Sequence, residues 1–132
     1  MMKKTHTAIA IAAAIPVINY FNIPYVSIVG IIGATAPDWD FLFGLKHRTI
    51  THSLLLLFVS SFLISIFNTN IALIWFISYF LHLLADSFTK MGTPFLYPFV
   101  KRRYGFKLIR TGGAEDMFIC IVAIFLISQQ LL

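Results

Sequence analysis

The sequence predicts an all-α fold, a compact membrane helical bundle of about five helices with short loops and with ligating residues at one membrane face. Hydrophobic residues make up 59% of the 132 residues and charged residues only 11%, too little charge to cover a water-soluble domain of this size. No Asp, Glu, Lys or Arg occurs in residues 8–36, 53–85 or 117–132. The length suits a single membrane-embedded domain over residues 1–132.

Turn-forming residues divide the first two apolar stretches. Asn and Pro recur within residues 19–24, and Asn68-Thr69-Asn70 interrupts the second stretch, so each is predicted to be a helical hairpin. The third stretch is predicted to be one helix. The predicted helices cover residues 6–20, 24–36, 50–67, 71–90 and 114–130.

Two alternatives concern the N-terminal part of the chain. Residues 8–36 could instead form one kinked span, which would separate His6 from Asp38 across the membrane. Met-Met-Lys-Lys followed by an apolar run also resembles a signal peptide, and cleavage after Ala12-Ala13-Ala14 would remove His6.

The charges are distributed on one side of the predicted bundle. Residues 1–6, 37–52 and 86–116 lie on one face, and they hold all ten Lys and Arg and all five Asp and Glu. The positive-inside rule then predicts a multi-pass protein of the cytoplasmic (inner) membrane, with the N-terminus and this face in the cytoplasm. Topology also accounts for the net charge of +5, so membrane lipids are the expected partners and nucleic acid is not.

One predicted helix carries a histidine and a carboxylate on the same face. His82 and Asp86 are four residues apart, a spacing at which both side chains can bind one divalent metal ion. Ionisable side chains within apolar helices are costly, which favours a function for them. The alternative is a His–Asp hydrogen bond that satisfies two polar groups. Ser78 and Thr89 extend the same face and are expected to support the ligands.

A helix break precedes another pair of carboxylates. Residues before proline disfavour helix, so the chain is predicted to break at Pro37 and to present Asp38 and Asp40 at the membrane edge. Asp38 is predicted to bind metal and to take part in catalysis, and Asp40 to support it. A solvated turn is the alternative, more so for Asp40.

The segment Lys46–Ser53 opens the third predicted helix, with Thr49 or Thr51 as its expected cap. His47 and His52 are five residues apart, so at most one should bind metal, and His52 is preferred because it borders the apolar run. His47 and Arg48 are assigned to substrate contact, Arg48 through a two-pronged bond to phosphate. Thr51 and Ser53 are expected to support the ligands.

His6 and Glu115 open the first and last predicted helices. Each has a simpler alternative, His6 as an interfacial side chain and Glu115 as a helix-capping acid, which is also the interpretation of Asp116. Together the helix ends bring six candidate ligands to one face: His6, Asp38, His52, His82, Asp86 and Glu115. Imidazoles with carboxylates suit zinc, with manganese as the alternative. With an open coordination position, the bound water would be activated for hydrolysis.

These residues resemble a known family, the YdjM-like membrane-bound, metal-dependent hydrolases. The resemblance extends from His6 to Glu115 and is carried by Asp38, the run His47-Arg48-x-x-Thr51-His52-Ser53, His82-x-x-x-Asp86 and Gly92-x-Pro94. It implies a metal-dependent hydrolase in the membrane, without defining its substrate.

The chain is similar, more distantly, to zinc-dependent phospholipase C and the P1-type nucleases. Their pattern has an Asp, a His fourteen residues later, then HxxxD and HxxxE, and Asp38 and His52 here are fourteen residues apart. His82-x-x-x-Asp86 matches the third motif. Thr111 replaces the His of the fourth, which puts a three-zinc cluster in doubt, although Glu115 matches its Glu. This resemblance implies cleavage of phosphoester bonds.

The leading hypothesis is therefore a membrane-bound metal-dependent hydrolase that cleaves a lipid or small-molecule phosphoester with a metal-activated water. The basic run Lys101–Lys107 would hold anionic headgroups or substrate phosphate, or would serve only to retain this face in the cytoplasm. An ion or metal transporter is one alternative. A non-enzymatic scaffold with a structural metal site is the other.

Overall fold

The computed structural model describes all 132 residues and confirms an all-α fold without strands. Four α-helices are present: α1 (Lys3–Phe21), α2 (Leu54–Phe67), α3 (Thr69–Ser87) and α4 (Ala114–Leu131). Three 3-10 helices precede α2, and we refer to them in order as the first (Tyr25–Ala34), second (Ala36–Phe43) and third (Ile50–His52) 3-10 helix.

Both predicted hairpins are confirmed, and their turns use asparagine. Asn22 ends α1 in the left-handed conformation, with φ of 51°, which asparagine tolerates better than most residues. Asn68 ends α2 and also caps α3, where its side chain accepts hydrogen bonds from the backbone N–H groups of Asn70 and Ile71. Residues 8–36 therefore do not form one span.

The first 3-10 helix replaces the α-helix predicted over residues 24–36. Ser27, Gly30 and Gly33 are all buried and are spaced by three residues, the period of a 3-10 helix, so they share one face. A Cβ on Gly30 would lie 2.6 Å from backbone atoms of α3 (Ile71 O and Trp75 N). The small residues thus allow this helix to pack directly on the backbone of α3, as small residues do in membrane helix pairs.

The predicted break at Pro37 is a bend in the structure. The second 3-10 helix continues past Pro37, and its axis is turned by 53° from that of the first. Proline is accommodated because it lies in the first turn, where its missing N–H has no helical partner.

The third 3-10 helix is separate from α2, so the predicted helix over residues 50–67 is divided at Ser53. Ser53 caps α2, accepting a hydrogen bond from the backbone N–H of Leu56. The expectation that Thr49 or Thr51 caps this helix is wrong, because the 3-10 turn ends first and leaves Ser53 in the extended cap conformation.

Two helices, α3 and α4, are long and apolar enough to cross a membrane, and the bent pair of 3-10 helices would make a third span. The apolar α2, with 14 residues, is shorter. Phe118, Ile121 and Phe125 on α4 are each at least 60% exposed, which suits contact with lipid. Cys120 packs with Ala8 and Ala123 between α1 and α4.

The connection from α3 to α4, residues 88–113, folds back on the end of α3 that carries Asp86. Thr93 and Tyr104 pair through two backbone hydrogen bonds of 2.8 and 2.9 Å, and Phe106 N–H donates to the Ser87 carbonyl at 2.9 Å. Leu54 N–H donates to the Phe95 carbonyl at 2.9 Å, which ties this connection to the start of α2.

Candidate metal centre

Four of the predicted ligands converge in the structure: Asp38, His52, His82 and Asp86. Each offers one ligand atom, and all four atoms lie within 4.8 Å of one another. The second 3-10 helix supplies Asp38, the third supplies His52, and one face of α3 supplies the other two. Asp38 is partly exposed, and the other three side chains are buried.

The backbone fixes the orientation of His82. Its Nδ1–H donates to the carbonyl of Ala34 at 2.6 Å, at the end of the first 3-10 helix. This bond leaves Nε2 with a free lone pair, 3.3 Å from Asp86 Oδ2 and 3.6 Å from Asp38 Oδ1. Metal-binding histidines characteristically donate their other N–H in this way.

His52, on the third 3-10 helix, contacts the same carboxylate oxygens as His82. Its Nε2 lies 3.3 Å from Asp86 Oδ2, 3.6 Å from Asp38 Oδ1 and 3.3 Å from His82 Nε2. Its Nδ1 is 3.2 Å from the Thr51 hydroxyl, which itself donates to Asp40 Oδ2 at 3.4 Å. The Thr51 hydroxyl can therefore accept a hydrogen bond from Nδ1–H, which leaves the Nε2 lone pair free. Two imidazole lone pairs and two carboxylate oxygens then converge, a donor set that fits a divalent cation.

Asp86 uses its two oxygens differently. Oδ2 faces His52 and His82, whereas Oδ1 accepts from the amino group of Met1 at 2.6 Å and lies 3.1 Å from His6 Nε2. His6 also stacks on the His82 ring, with centroids 3.7 Å apart. The predicted ligand His6 thus lies beside the cluster and contacts the other oxygen of Asp86, outside the set of four.

Asp40 is fully buried, so it does not lie in a solvated turn. Its Oδ2 accepts hydrogen bonds from His47 Nδ1–H at 2.8 Å and from the backbone N–H of Arg48 at 3.2 Å. Asp40, His47 and His52 form a second group with metal-ligand spacing. These bonds hold the loop before the third 3-10 helix and, through Thr51, the ring of His52.

Arg48 is buried and bonded on both terminal nitrogens. Nη1 donates to the Thr89 hydroxyl at 2.9 Å and to the Gly92 carbonyl at 2.8 Å, and Nη2 lies 3.3 Å from Asp86 Oδ1. Burial lowers the pKa of the Arg48 guanidinium, and the carboxylates of Asp86 and Asp38 oppose that effect. Arg48 therefore joins the loops around the cluster, a role that the prediction of substrate contact did not include.

A cavity of about 540 Å³ adjoins the cluster. It gives a small molecule access to two of the clustered carboxylates. Its lining includes Lys3, Asp38, Asp40, His47, Arg48, Asp86 and Met91.

A family model described as YdjM inner membrane protein matches residues 1–131. The chain belongs to the YdjM family. No curated protein and no solved structure matches it. The family description agrees with the membrane residence predicted from the apolar segments.

The structure does not bring Glu115 of this YdjM chain to the cluster. Glu115 is exposed, whereas its neighbour Asp116 is buried and accepts hydrogen bonds from the Thr5 hydroxyl at 2.6 Å and the Gly112 N–H at 2.9 Å. Adjacent side chains on an α-helix point about 100° apart, so only one of the two can face inward. Both acids lie in the first turn, and the sequence holds no signal that distinguishes them.

The other residues predicted to support the ligands differ in whether they contact the cluster. Thr89 donates to the Asp86 carbonyl at 2.6 Å while accepting from Arg48, and Ser53 caps α2. Ser78 is buried, and its hydroxyl has no hydrogen-bond partner. Tyr79, which the sequence did not single out, donates to the carbonyl of Thr51 and so positions the turn that carries His52.

Proposed function

We propose that this protein is a metal-dependent hydrolase of the inner membrane that cleaves a phosphoester in a lipid or another phosphorylated substrate. The observation that carries the proposal is the convergence of four ligand atoms within 4.8 Å beside an accessible cavity. A divalent cation held there, zinc or manganese, would lower the pKa of a bound water toward neutrality and so supply the nucleophile.

The ligand residues have distinct roles in the proposal. His52 and His82 provide Nε2 lone pairs, because Thr51 and the Ala34 carbonyl engage their other nitrogens. Asp38 is the least buried ligand and also lines the cavity, so it would hold the metal from the side that a substrate can reach. Asp86 would supply Oδ2 to the metal, because Oδ1 is paired with Arg48.

A phosphoester is the substrate class that best fits the cavity. Lys3, His47 and Arg48 line it together with Asp38, Asp40 and Asp86, so two cationic side chains and an imidazole lie in the same cavity as the clustered carboxylates. A bound divalent cation and the Lys3 ammonium would supply the positive charge that phosphate oxygens require. His47 has a half-exposed side chain held by Asp40, which suits it for proton transfer to a leaving group.

The orientation of the site is a further part of the proposal. The ten basic residues belong to the segments that carry the cluster, so the positive-inside rule places the site and the N-terminus in the cytoplasm. A substrate would then reach the metal from the cytoplasmic leaflet or from the cytosol.

The central test is the metal content of the purified protein. We expect about one zinc or manganese ion per chain in the wild type, measured by elemental analysis after purification in detergent without chelator. His82→Ala and Asp86→Asn should each lose most of it, because removing a ligand or its close support typically weakens metal affinity by 10-fold to 100-fold or more. Glu115→Gln is the matched control, since it removes a carboxylate that lies outside the cluster.

Turnover distinguishes the proposal from its alternatives. The same preparations would be assayed for phosphate release from a phosphomonoester and a phosphodiester, with and without chelator. Metal-dependent release that His82→Ala abolishes supports the hydrolase. Stoichiometric metal without turnover would favour a structural site, and metal flux into proteoliposomes would favour a transporter. Wild-type protein without bound metal would refute the site itself.

A further inference from the structure

A second pocket, of about 320 Å³, shares only Arg48 with the cavity beside the ligand cluster. We call it the basic pocket. It lies between the loop that precedes the third 3-10 helix and the connection from α3 to α4. Its lining residues are Lys46, Arg48, Thr49, Pro94, Tyr97, Lys101 and Arg103.

The charges of the basic pocket are not compensated by the protein. Four cationic side chains line it, and no carboxylate does. Only Arg48 among them has a carboxylate within ion-pair distance, Asp86 at 3.3 Å. Arg103 lines the same pocket as Arg48, so their like charges repel each other. An anion in the pocket would relieve this repulsion.

The walls of the pocket are fixed by hydrogen bonds that do not involve a ligand. Thr49 donates from its hydroxyl to the Lys46 carbonyl at 2.6 Å, which closes the turn on one side. Arg48 donates to the Gly92 carbonyl at 2.8 Å, and Leu54 N–H donates to the Phe95 carbonyl at 2.9 Å, which join the two sides. The two backbone segments that carry the cations are therefore joined to each other, with buried Arg48 between them.

Arg48 also retains an unused donor. Its side chain is 4% exposed, both terminal nitrogens are bonded, and Nε is buried without a hydrogen-bond partner. Buried donors are nearly always satisfied in native structures, so an orphaned guanidinium N–H indicates a missing acceptor. Phosphate oxygens match a set of guanidinium, ammonium and hydroxyl donors.

We propose that the basic pocket binds the phosphate group of an anionic ligand, carried either by a phospholipid headgroup or by a soluble phosphate compound. Binding there requires neither a metal nor hydrolysis, so the site goes beyond the proposed function. Because Arg48 lines both spaces, a phosphate in the basic pocket would lie next to the cavity of the ligand cluster.

The test uses the full-length protein, purified and delipidated in a neutral detergent, with EDTA present throughout so that metal binding plays no part. Calorimetric titration with inorganic phosphate measures the soluble source. Native mass spectrometry in the presence of phosphatidic acid or phosphatidylcholine measures the lipid source. Phosphatidylcholine also carries a negative phosphate, but its choline group leaves the lipid without net charge. Wild type should bind at least one of the two anionic probes.

The decisive comparison is between two double variants of equal charge. Lys101→Gln with Arg103→Gln should weaken binding about tenfold or more, the loss expected for about one charge-assisted hydrogen bond. Lys90→Gln with Arg110→Gln removes the same charges from the same connection outside the pocket, and it should bind as the wild type does. If the Lys101 and Arg103 double variant weakens the binding of phosphate alone, the ligand is a soluble phosphate compound. If it weakens the binding of phosphatidic acid alone, the ligand is a lipid headgroup.

Two results would overturn the proposal. One is a wild-type protein that binds neither probe. The other is an equal loss of binding in both double variants, which would mean that only the overall charge of this face matters. His82→Ala, which should lose metal, is expected to keep phosphate binding, so the failure of one proposal leaves the other measurable.

Discussion

Asp86 shows how much one side chain contributes to the ligand cluster. Its Oδ2 faces His52 and His82 at 3.3 Å, and its Oδ1 is 3.3 Å from Arg48 Nη2. A buried carboxylate requires compensation of this kind, since an unpaired charge in the interior is very costly. The spacing of His82 and Asp86 was visible in the sequence, whereas the pairing with Arg48, 38 positions earlier, was not.

At the residue scale, we expect Tyr79→Phe to destabilise the protein by about 1–3 kcal/mol, because it leaves the buried Thr51 carbonyl without its donor. The Thr51 turn carries His52, so metal affinity should fall as well. Thermal unfolding in detergent and metal titration would measure the two effects.

Tyr25→Phe is the matched control for that substitution. The Tyr25 hydroxyl donates to Asn19 at an exposed position, where water replaces the lost partner. The unfolding temperature of the Tyr25→Phe variant should stay close to that of the wild type. Equal effects of the two substitutions would show that the contact between Tyr79 and Thr51 does not position the site.

At the scale of elements, the 3-10 period of the first 3-10 helix determines where His82 finds its acceptor. Ser27, Gly30 and Gly33 form the face that packs on α3, and Ala34 follows directly, with its carbonyl on His82 Nδ1. The three-residue spacing of small residues is present in the sequence. The apolar run nevertheless favours an α-helix, because 3-10 helices of this length are uncommon.

Gly30→Ala should destabilise the protein by about 1–3 kcal/mol or more, since the new Cβ would meet backbone rather than a movable side chain. To accommodate the new Cβ, the first 3-10 helix would have to move away from α3, and Ala34 would move with it. Metal affinity should therefore fall together with stability. Gly44→Ala is the comparison. Gly44 has open space around it and φ of 69°, so substitution there costs only about 1 kcal/mol of backbone strain. A smaller effect at Gly30 than at Gly44 would contradict this packing.

At the scale of the whole molecule, contacts between distant segments bring the charged ends of the helices together. His6 at the start of α1 meets Asp86 near the end of α3, and Thr5 bonds to Asp116 at the start of α4. The prediction that these ends share one face of the bundle is confirmed by these contacts.

Cysteine labelling tests the orientation of the whole molecule. In a Cys120→Ala background, Lys90→Cys should react with a membrane-impermeant maleimide only when the cytoplasmic side is accessible, as in inverted vesicles. Thr69→Cys, at the turn between α2 and α3, should react only in right-side-out vesicles. Labelling of both from the same side would refute the proposed topology, and the unsubstituted background reports on non-specific reaction.

The sequence by itself determined the helical membrane class, the two asparagine turns and the set from which the clustered ligands came. These features depend on local composition and spacing, since hydropathy selects the lipid phase and a four-residue interval aligns His82 with Asp86. The tertiary structure alone decided that Asp116 faces inward instead of Glu115, that Asp40 is buried, and that Arg48 joins separate loops. Each of these depends on contacts between segments far apart in the chain, and local propensity carries no information about them.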